Sequence, residues 1–350
     1  MDTPEQAALR ETVRDFCRKH AGPQAWARLT GELGLTGLAI PECHGGAGAG
    51  LAEVAVAVEE TGRVLLPAPY LSTALAGAVL SEGDAVLGEG DAVLGTGETV
   101  LGAGETAGFL PGIASGALRA AFVLGGSVTA ADGRLTGVAH HVLDGAEADL
   151  FVVRARDGGQ DALFAVRAAD AVVTPAGTLD QTRSQATVEF RGSPAVLAGC
   201  PAERAEDLLR VLLAVESAGA AAHCLGVTVD YLKTRVQFGR PIGAFQALRH
   251  RCADLAVEVT SARATAYAAV RAAGPTGSPA ELAVLGPLAK RHCVDVFWHV
   301  AAETIQLHGG IGFTWEHEAH RYLKRAKTSQ LLHGNPVELR RLVSQRAGLG

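Results

Sequence analysis

The apolar positions follow two rhythms, and the rhythm changes twice along the chain. In the N-terminal third, Leu9, Val13, Phe16 and Cys17 recur at three- and four-residue spacing, as do Ala55, Val58 and Gly62, which predicts amphipathic helices. The turn-forming run Pro41-Glu42-Cys43-His44-Gly45-Gly46 separates two of them. From about Leu118 to Phe190 the pattern is that of strands. Val188 and Phe190 alternate with Thr187 and Glu189, while Leu150 to Val153 and Ala162 to Val166 are short apolar runs. Asp132-Gly133 and Asp144-Gly145 supply turn residues between strands. Helical spacing returns after Pro201, where Leu285, Ala289, Cys293, Phe297, Ala301 and Ile305 form one continuous apolar seam. At least three long helices in succession predict an up-and-down bundle.

These changes divide the chain into a helical segment, 1–117, a small β segment, 118–197, and a helical bundle, 198–350. Within the first, Gly83 to Gly88 is repeated almost unchanged at Gly90 to Gly95 and more loosely from Gly97 to Gly102. So few copies cannot stack into a solenoid core, so residues 83–104 are expected to be an inserted glycine-rich connection. Because strands and helices do not alternate and no GxGxxG follows a strand, a doubly wound nucleotide fold is excluded.

Composition narrows the chemistry. Hydrophobic residues make up 48% of the 350 and aromatics only 5%, so the core is built from Ala, Leu and Val, which lets helix axes approach closely. A net charge of −6 without a block of one sign favours neither nucleic acid nor an anionic membrane surface. The six isolated cysteines point to a reducing compartment, and the polar N-terminus has no apolar leader, so a cytoplasmic protein is expected. Val211 to Val229 is the most membrane-like stretch, but Glu216, Ser217 and His223 interrupt it and make it a buried helix. Twelve histidines show no HExxH or clustered ligand spacing, so no metal site is expected. Adjacent on a strand, His140 and His141 should point to opposite faces.

Two segments carry more. In Arg235-Val236-Gln237-Phe238-Gly239-Arg240-Pro241-Ile242-Gly243, an arginine, an aromatic and glycines sit at a break between helices. Such a break exposes backbone amides and a cationic fork to a phosphate, although an ordinary interhelical turn has the same composition. In Gln306-Leu307-His308-Gly309-Gly310-Ile311-Gly312-Phe313, a helix closes on three glycines, as it would where backbone approaches a bulky ligand.

Together, FGRPIGAFQ and QLHGGIGF resemble the signature of the acyl-CoA dehydrogenase family. LGLTGLAIPECHGGAG, FLPGIASG, LTGVAHHVLDGAEADL and TLDQTRSQATVEF extend the similarity, in the family's order, over nearly the whole chain. The resemblance implies a three-domain fold, mainly α, with N-terminal helices, a middle β-barrel and a C-terminal four-helix bundle that builds tetramers. It implies FAD as cofactor and an acyl-CoA thioester as substrate, oxidised to the 2-enoyl-CoA. A carboxylate removes the α-proton while the β-hydride passes to N5 of FAD. In the family each FAD lies across two subunits. Arg235, Phe238, Phe245, Gln246, Gln306, Gly309 and Gly310 match the half that grips the ADP end of a neighbour's cofactor. Asp207 and Arg210 match a D-x-x-R pattern that touches the acyl-CoA, although an i, i+3 surface pair looks the same in sequence.

The departures lie at the flavin ring. The family's T-E-P-x-x-G-S-D-like loop is shortened here to Gly125-Gly126-Ser127, and W-I-T is replaced by His141, Val142 and Leu143. The commonest catalytic glutamate becomes His333, its alternative position is Leu209, and Glu216 lies two turns too far along its helix. The expected function is therefore a subunit that completes FAD sites on a related catalytic chain. This resembles the heterotetrameric enzymes of actinobacteria, several of which act on steroid side-chain thioesters. The alternatives are a self-sufficient homotetramer with His333 as base, and a non-redox acyl-CoA-binding or scaffold protein.

Overall fold

The computed structural model describes residues 3–22, 24–88 and 105–349. The N-terminal helices are α1 (Pro4–His20), α2 (Ala25–Leu33), α3 (Leu51–Arg63), α4 (Tyr70–Gly88) and the short α5 (Leu110–Ala114). Thr3 and Gln6 cap α1 reciprocally, and Pro4 occupies its first turn. Helix α4 runs through residues 83–88, so the first copy of the glycine-bounded repeat is helical rather than part of a connection. There, Gly83 meets the backbone of Gly199 and Cys200, and a Cβ would lie 2.7 Å from Gly199 N. Residues 89–104, which hold the other two copies, lie outside the described residues.

Eight strands follow: β1 (Ala120–Val123), β2 (Ser127–Ala131), β3 (Arg134–Leu143), β4 (Leu150–Asp157), β5 (Gln160–Arg167), β6 (Val172–Pro175), β7 (Gln185–Pro194) and β8 (Val196–Ala198). They form one sheet in the order β6-β7-β3-β2-β4-β5-β8, with β1 parallel to β4. Asp132 and Gly133, at φ 51° and 68°, make the tight turn between β2 and β3. The apolar runs lack alternation because both faces are buried. In β4, Leu150 and Val152 pack on the helical core, whereas Phe151 and Val153 fill the interior of the sheet.

Helices α6 (Ala202–Thr234), α7 (Gln246–Ala273), α8 (Pro279–His308) and α9 (Ala319–Leu331) form the bundle, followed by α10 (Pro336–Arg346). The stripe from Leu285 to Ile305 is the inner face of α8, with Ala289, Cys293, Phe297 and Ala301 buried. Helix α6 is long and apolar enough to span a membrane, but most of it is enclosed by the other helices. Glycines bring α3 against it: a Cβ on Gly62 would lie 2.6 Å from Glu216 O, and one on Gly219 would lie 2.1 Å from Glu59 O. That close approach places Glu216 where the three parts of the chain meet.

Candidate functional site

Because α6, α7 and α8 run up, down and up, the end of α6, the start of α7 and the end of α8 share one end of the bundle. Tyr231 stacks on His308 at 4.4 Å and ties two of these ends together. Past Thr234 the chain forms a two-residue ladder, β9 (Val236–Gln237) with β10 (Arg240–Pro241), tipped by Phe238 and Gly239 at φ 53° and 76°. The turn leaves Phe238 90% exposed, edge-on to Phe245 at 6.0 Å. Arg240 lies 4.3 Å over the Phe245 ring. Arg235 and Gln306 are exposed, and neither side chain has a hydrogen-bond partner among the described residues. Gln246, the first residue of α7, is exposed as well. Gly309 ends α8 at φ 62°, and Gly309 and Gly310 open the next turn with their backbone exposed.

The other end of the bundle holds a half-open cavity of about 410 Å³ between β1, β3, the start of α6 and the loop into α10. Arg210, Glu206, His333, Glu338, His140 and His141 supply its polar lining. The two adjacent histidines do not separate as strand alternation predicts. A bulge between Ala139 and Val142, with His141 at φ 56°, turns both toward the same cavity. His140 Nδ1 lies 3.1 Å from Thr187 Oγ1.

At that end Arg210 reaches the cavity and Asp207 does not. Arg210 donates to Asp207 at 2.8 Å and to Glu206 at 2.6 Å, and Arg346 donates to both Asp207 oxygens at 2.8 Å. His333 stands at φ 52°, its Nε2 buried without a hydrogen-bond partner among the described residues. Burial pushes its pKa down to about 3, with Lys290, Arg210 and Arg183 adding in the same direction. Sequence reasoning missed Lys290. It is fully buried, donates from Nζ to Gly334 O at 2.6 Å, and is lowered to about 7 by burial and by Arg210. Its one signal was a lysine directly beside the apolar seam of α8.

Behind the cavity lies a buried ionic cluster. Arg325 donates to Asp180 at 2.7 Å and to Glu216 at 3.1 Å, and Arg183 donates to the other Glu216 oxygen. Burial raises the pKa of Asp144, which accepts from Ser72 at 2.7 Å. Leu143 borders the small closed void among these groups, while His141 and Val142 border the larger cavity.

The comparisons with known proteins agree on this architecture. Profiles of the acyl-CoA dehydrogenase N-terminal and C-terminal domains match residues 3–85 and 202–348. Acyl-CoA dehydrogenase IpdE2 of Mycobacterium tuberculosis is 38% identical, over 97% of each chain. The chain belongs to the acyl-CoA dehydrogenase family. The IpdE2 of Mycolicibacterium smegmatis is 36% identical over 97% of this chain and 98% of its own. Among solved structures, a variant of the Tcur3481–Tcur3483 steroid acyl-CoA dehydrogenase superposes with a TM-score of 0.86 at 27% identity, over 98% of both chains. The ChsE4–ChsE5 complex of Mycobacterium tuberculosis has a TM-score of 0.84 at 24% identity, over 100% of this chain and 99% of its own, which supports the fold alone.

The family implies FAD, and the two ends of the bundle differ in how they fit it. The Arg235 end offers an uncommitted guanidinium, aromatic faces and an open glycine turn, which suit a pyrophosphate and an adenosine. At the cavity end, Leu143 offers no hydroxyl and borders the small closed void rather than the larger cavity. Arg210 lies on α6 and Arg235 directly follows its last residue, 25 positions further on, about 37 Å at roughly 1.5 Å per residue. One chain therefore cannot bring both ends to the same dinucleotide.

Proposed function

We propose that this chain is the non-catalytic-type subunit of a hetero-oligomeric, FAD-linked acyl-CoA dehydrogenase, completing the cofactor sites of a related chain. In that assembly Arg235 holds the pyrophosphate, Phe238 and Phe245 pack near the adenosine, and Gln246, Gln306, Gly309 and Gly310 continue the wall. The bound FAD would accept the β-hydride when an acyl-CoA thioester is oxidised to the enoyl-CoA, with the base supplied by the partner. Arg210 and Asp207 retain a thioester-contacting role in this proposal, Arg210 directly and Asp207 by fixing it.

The carboxylates around the cavity carry the proposal. Glu206 is engaged by Arg210 at 2.6 Å and by Arg154 at 2.8 Å, and Glu338 caps α10 through Asn335 N at 2.9 Å. Both carboxylates are already engaged, which disfavours either as the base, and a low pKa makes His333 a weak proton acceptor. That disfavours a self-sufficient homotetramer. The name of the Tcur3481–Tcur3483 neighbour supports a two-chain assembly, and its description as a steroid enzyme supports a steroid-derived acyl group. The free cysteines, four of them buried, suit the cytoplasm.

Co-expression with the paralogous chain, followed by native mass spectrometry and flavin absorbance, tests the proposal. Expected is a mixed tetramer carrying fewer FADs than subunits, and a colourless chain when expressed alone. A homotetramer with one FAD per subunit would refute it. A chain that stays colourless and unassociated with any paralogue would favour a non-redox acyl-CoA-binding role. His333→Ala should leave turnover of the assembly nearly unchanged, whereas loss of a true base costs about 10²–10⁴-fold.

A further inference from the structure

A second cavity, of about 230 Å³, lies between the start of α9 and the loop before β7, lined by Asp180, Gln181, Thr182, His320, Arg321 and Lys324. It shares no lining residue with the cavity around His333. Its one carboxylate is already engaged: Asp180 accepts from Arg325 Nε at 2.7 Å and from Thr182 N at 2.9 Å. Burial alone would raise the pKa of Asp180, but Arg325 and Thr182 outweigh it and keep the group ionised and occupied.

The cations on the other wall are not engaged in this way. Arg321 forms no side-chain hydrogen bond or ion pair among the described residues. Lys324 Nζ rests 4.5 Å from the centre of the Trp315 ring and has no carboxylate partner among the described residues. Arg321 and Lys324 are three apart on α9 and share a face, within the first two turns, where the helix dipole adds positive potential. His320 Nδ1 is buried beside them without a hydrogen-bond partner. Trp315 is 79% exposed and meets the His320 ring at 4.8 Å, so a largely exposed indole, with Lys324 resting against it, stands at the edge of a cavity that Arg321 and Lys324 line.

Cations beside an open aromatic surface match a ligand that joins an anion to a planar ring. We infer that this cavity binds a nucleoside phosphate, with its phosphate on Arg321 and Lys324 and its base stacked on Trp315. The enclosed volume suits the phosphoribosyl part, the base remains outside on the indole, and Gln181 at the rim can hydrogen-bond the ribose. This site is independent of the subunit role proposed above. The same chemistry is found in free nucleotides and in the adenosine end of coenzyme A.

Calorimetric titration of the full-length Arg235→Ala chain with adenosine 5′-diphosphate tests the inference, because that background lacks the cation of the other nucleotide-binding surface. Expected is one site per chain, weakened about tenfold or more by Lys324→Ala and by Trp315→Ala, as loss of a charge-assisted contact or a base–aromatic stack predicts. Both side chains lie outside the hydrophobic core, so the variants should fold. Inorganic phosphate, lacking a ring, should bind at least tenfold more weakly than the nucleotide. Coenzyme A binding with the same two dependences would identify the coenzyme as the source, and nucleotide binding alone would identify free nucleotides; either result supports the site. No binding of adenosine 5′-diphosphate in this background, or binding indifferent to both substitutions, would overturn it. Flavin content of the mixed assembly would be unaffected by that failure.

Discussion

The two ends of the bundle are built in opposite ways. At the Arg235 end the functional groups are exposed and uncommitted, held by backbone: a tight turn with Phe238 at φ 53° and a helix stopped by Gly309. At the His333 end they are buried and paired, with Arg210, Asp207, Arg346 and Glu206 in one network and Lys290 fastened to Gly334. An exposed, uncommitted surface is ready for a ligand or a second chain. An interior in which Arg210, Asp207, Arg346, Glu206 and Lys290 are paired leaves little freedom for proton transfer, although His333 Nε2 has no hydrogen-bond partner among the described residues.

Substitutions can break this contrast. The largest effect is expected for Arg325→Ala behind the cavity, which leaves Asp180 and Glu216 without their shared cation. Removing one partner of a buried ion pair costs about 3–5 kcal/mol, so denaturant unfolding should show a chain close to its stability limit. Wild-type-like stability would mean that the cluster is not structural.

Next is the acid response of His333. Its folded pKa, about 3, lies below the ordinary histidine value, so the unfolded chain binds the proton more readily. Its stabilising contribution is fully present above about pH 6.5 and is lost as pH falls toward 3, on the order of 3 kcal/mol by pH 4. Thermal unfolding against pH should show this slope, and His333→Leu should flatten it. An unchanged slope would place the imidazole in solvent and reopen its candidacy as a base.

Arg235→Ala should leave stability within about 0.5 kcal/mol, because the side chain is exposed and has no partner among the described residues. In the mixed assembly it should weaken FAD retention by about 1.5–3 kcal/mol, read as cofactor lost on dialysis. Retained flavin would remove the pyrophosphate contact from the proposed wall. The smallest effect is expected for Phe238→Gly. Glycine tolerates φ 53° at low cost, so stability should change by less than about 1 kcal/mol while flavin retention falls. A marked loss of stability would show that the exposed ring supports the fold.

Legibility in the sequence follows the same division. The Arg235 end was readable because it is local: residues within a few positions of one another set the turn, and glycines mark it. Arg183, Glu216 and Arg325 come from separate elements, and no spacing reveals that they meet. Lys290 showed only its place beside the apolar seam of α8, since its partner Gly334 is 44 positions away. His140 and His141 were misplaced because a two-residue period cannot anticipate a bulge.

By itself, then, the sequence determined what depends on period and punctuation: the helix–strand–helix order, the buried course of α6, the seam of α8 and the turns at Asp132-Gly133 and Phe238-Gly239. Side-chain periodicity and glycine conformation are local properties, so one chain segment suffices to state them. Only the tertiary structure decided that Asp207 stands behind Arg210, that His333 is held well below the ordinary histidine range, that both adjacent histidines face one cavity, and that Lys324 rests on an exposed indole. Those outcomes depend on burial and on charges brought together from distant positions, and both are set by packing.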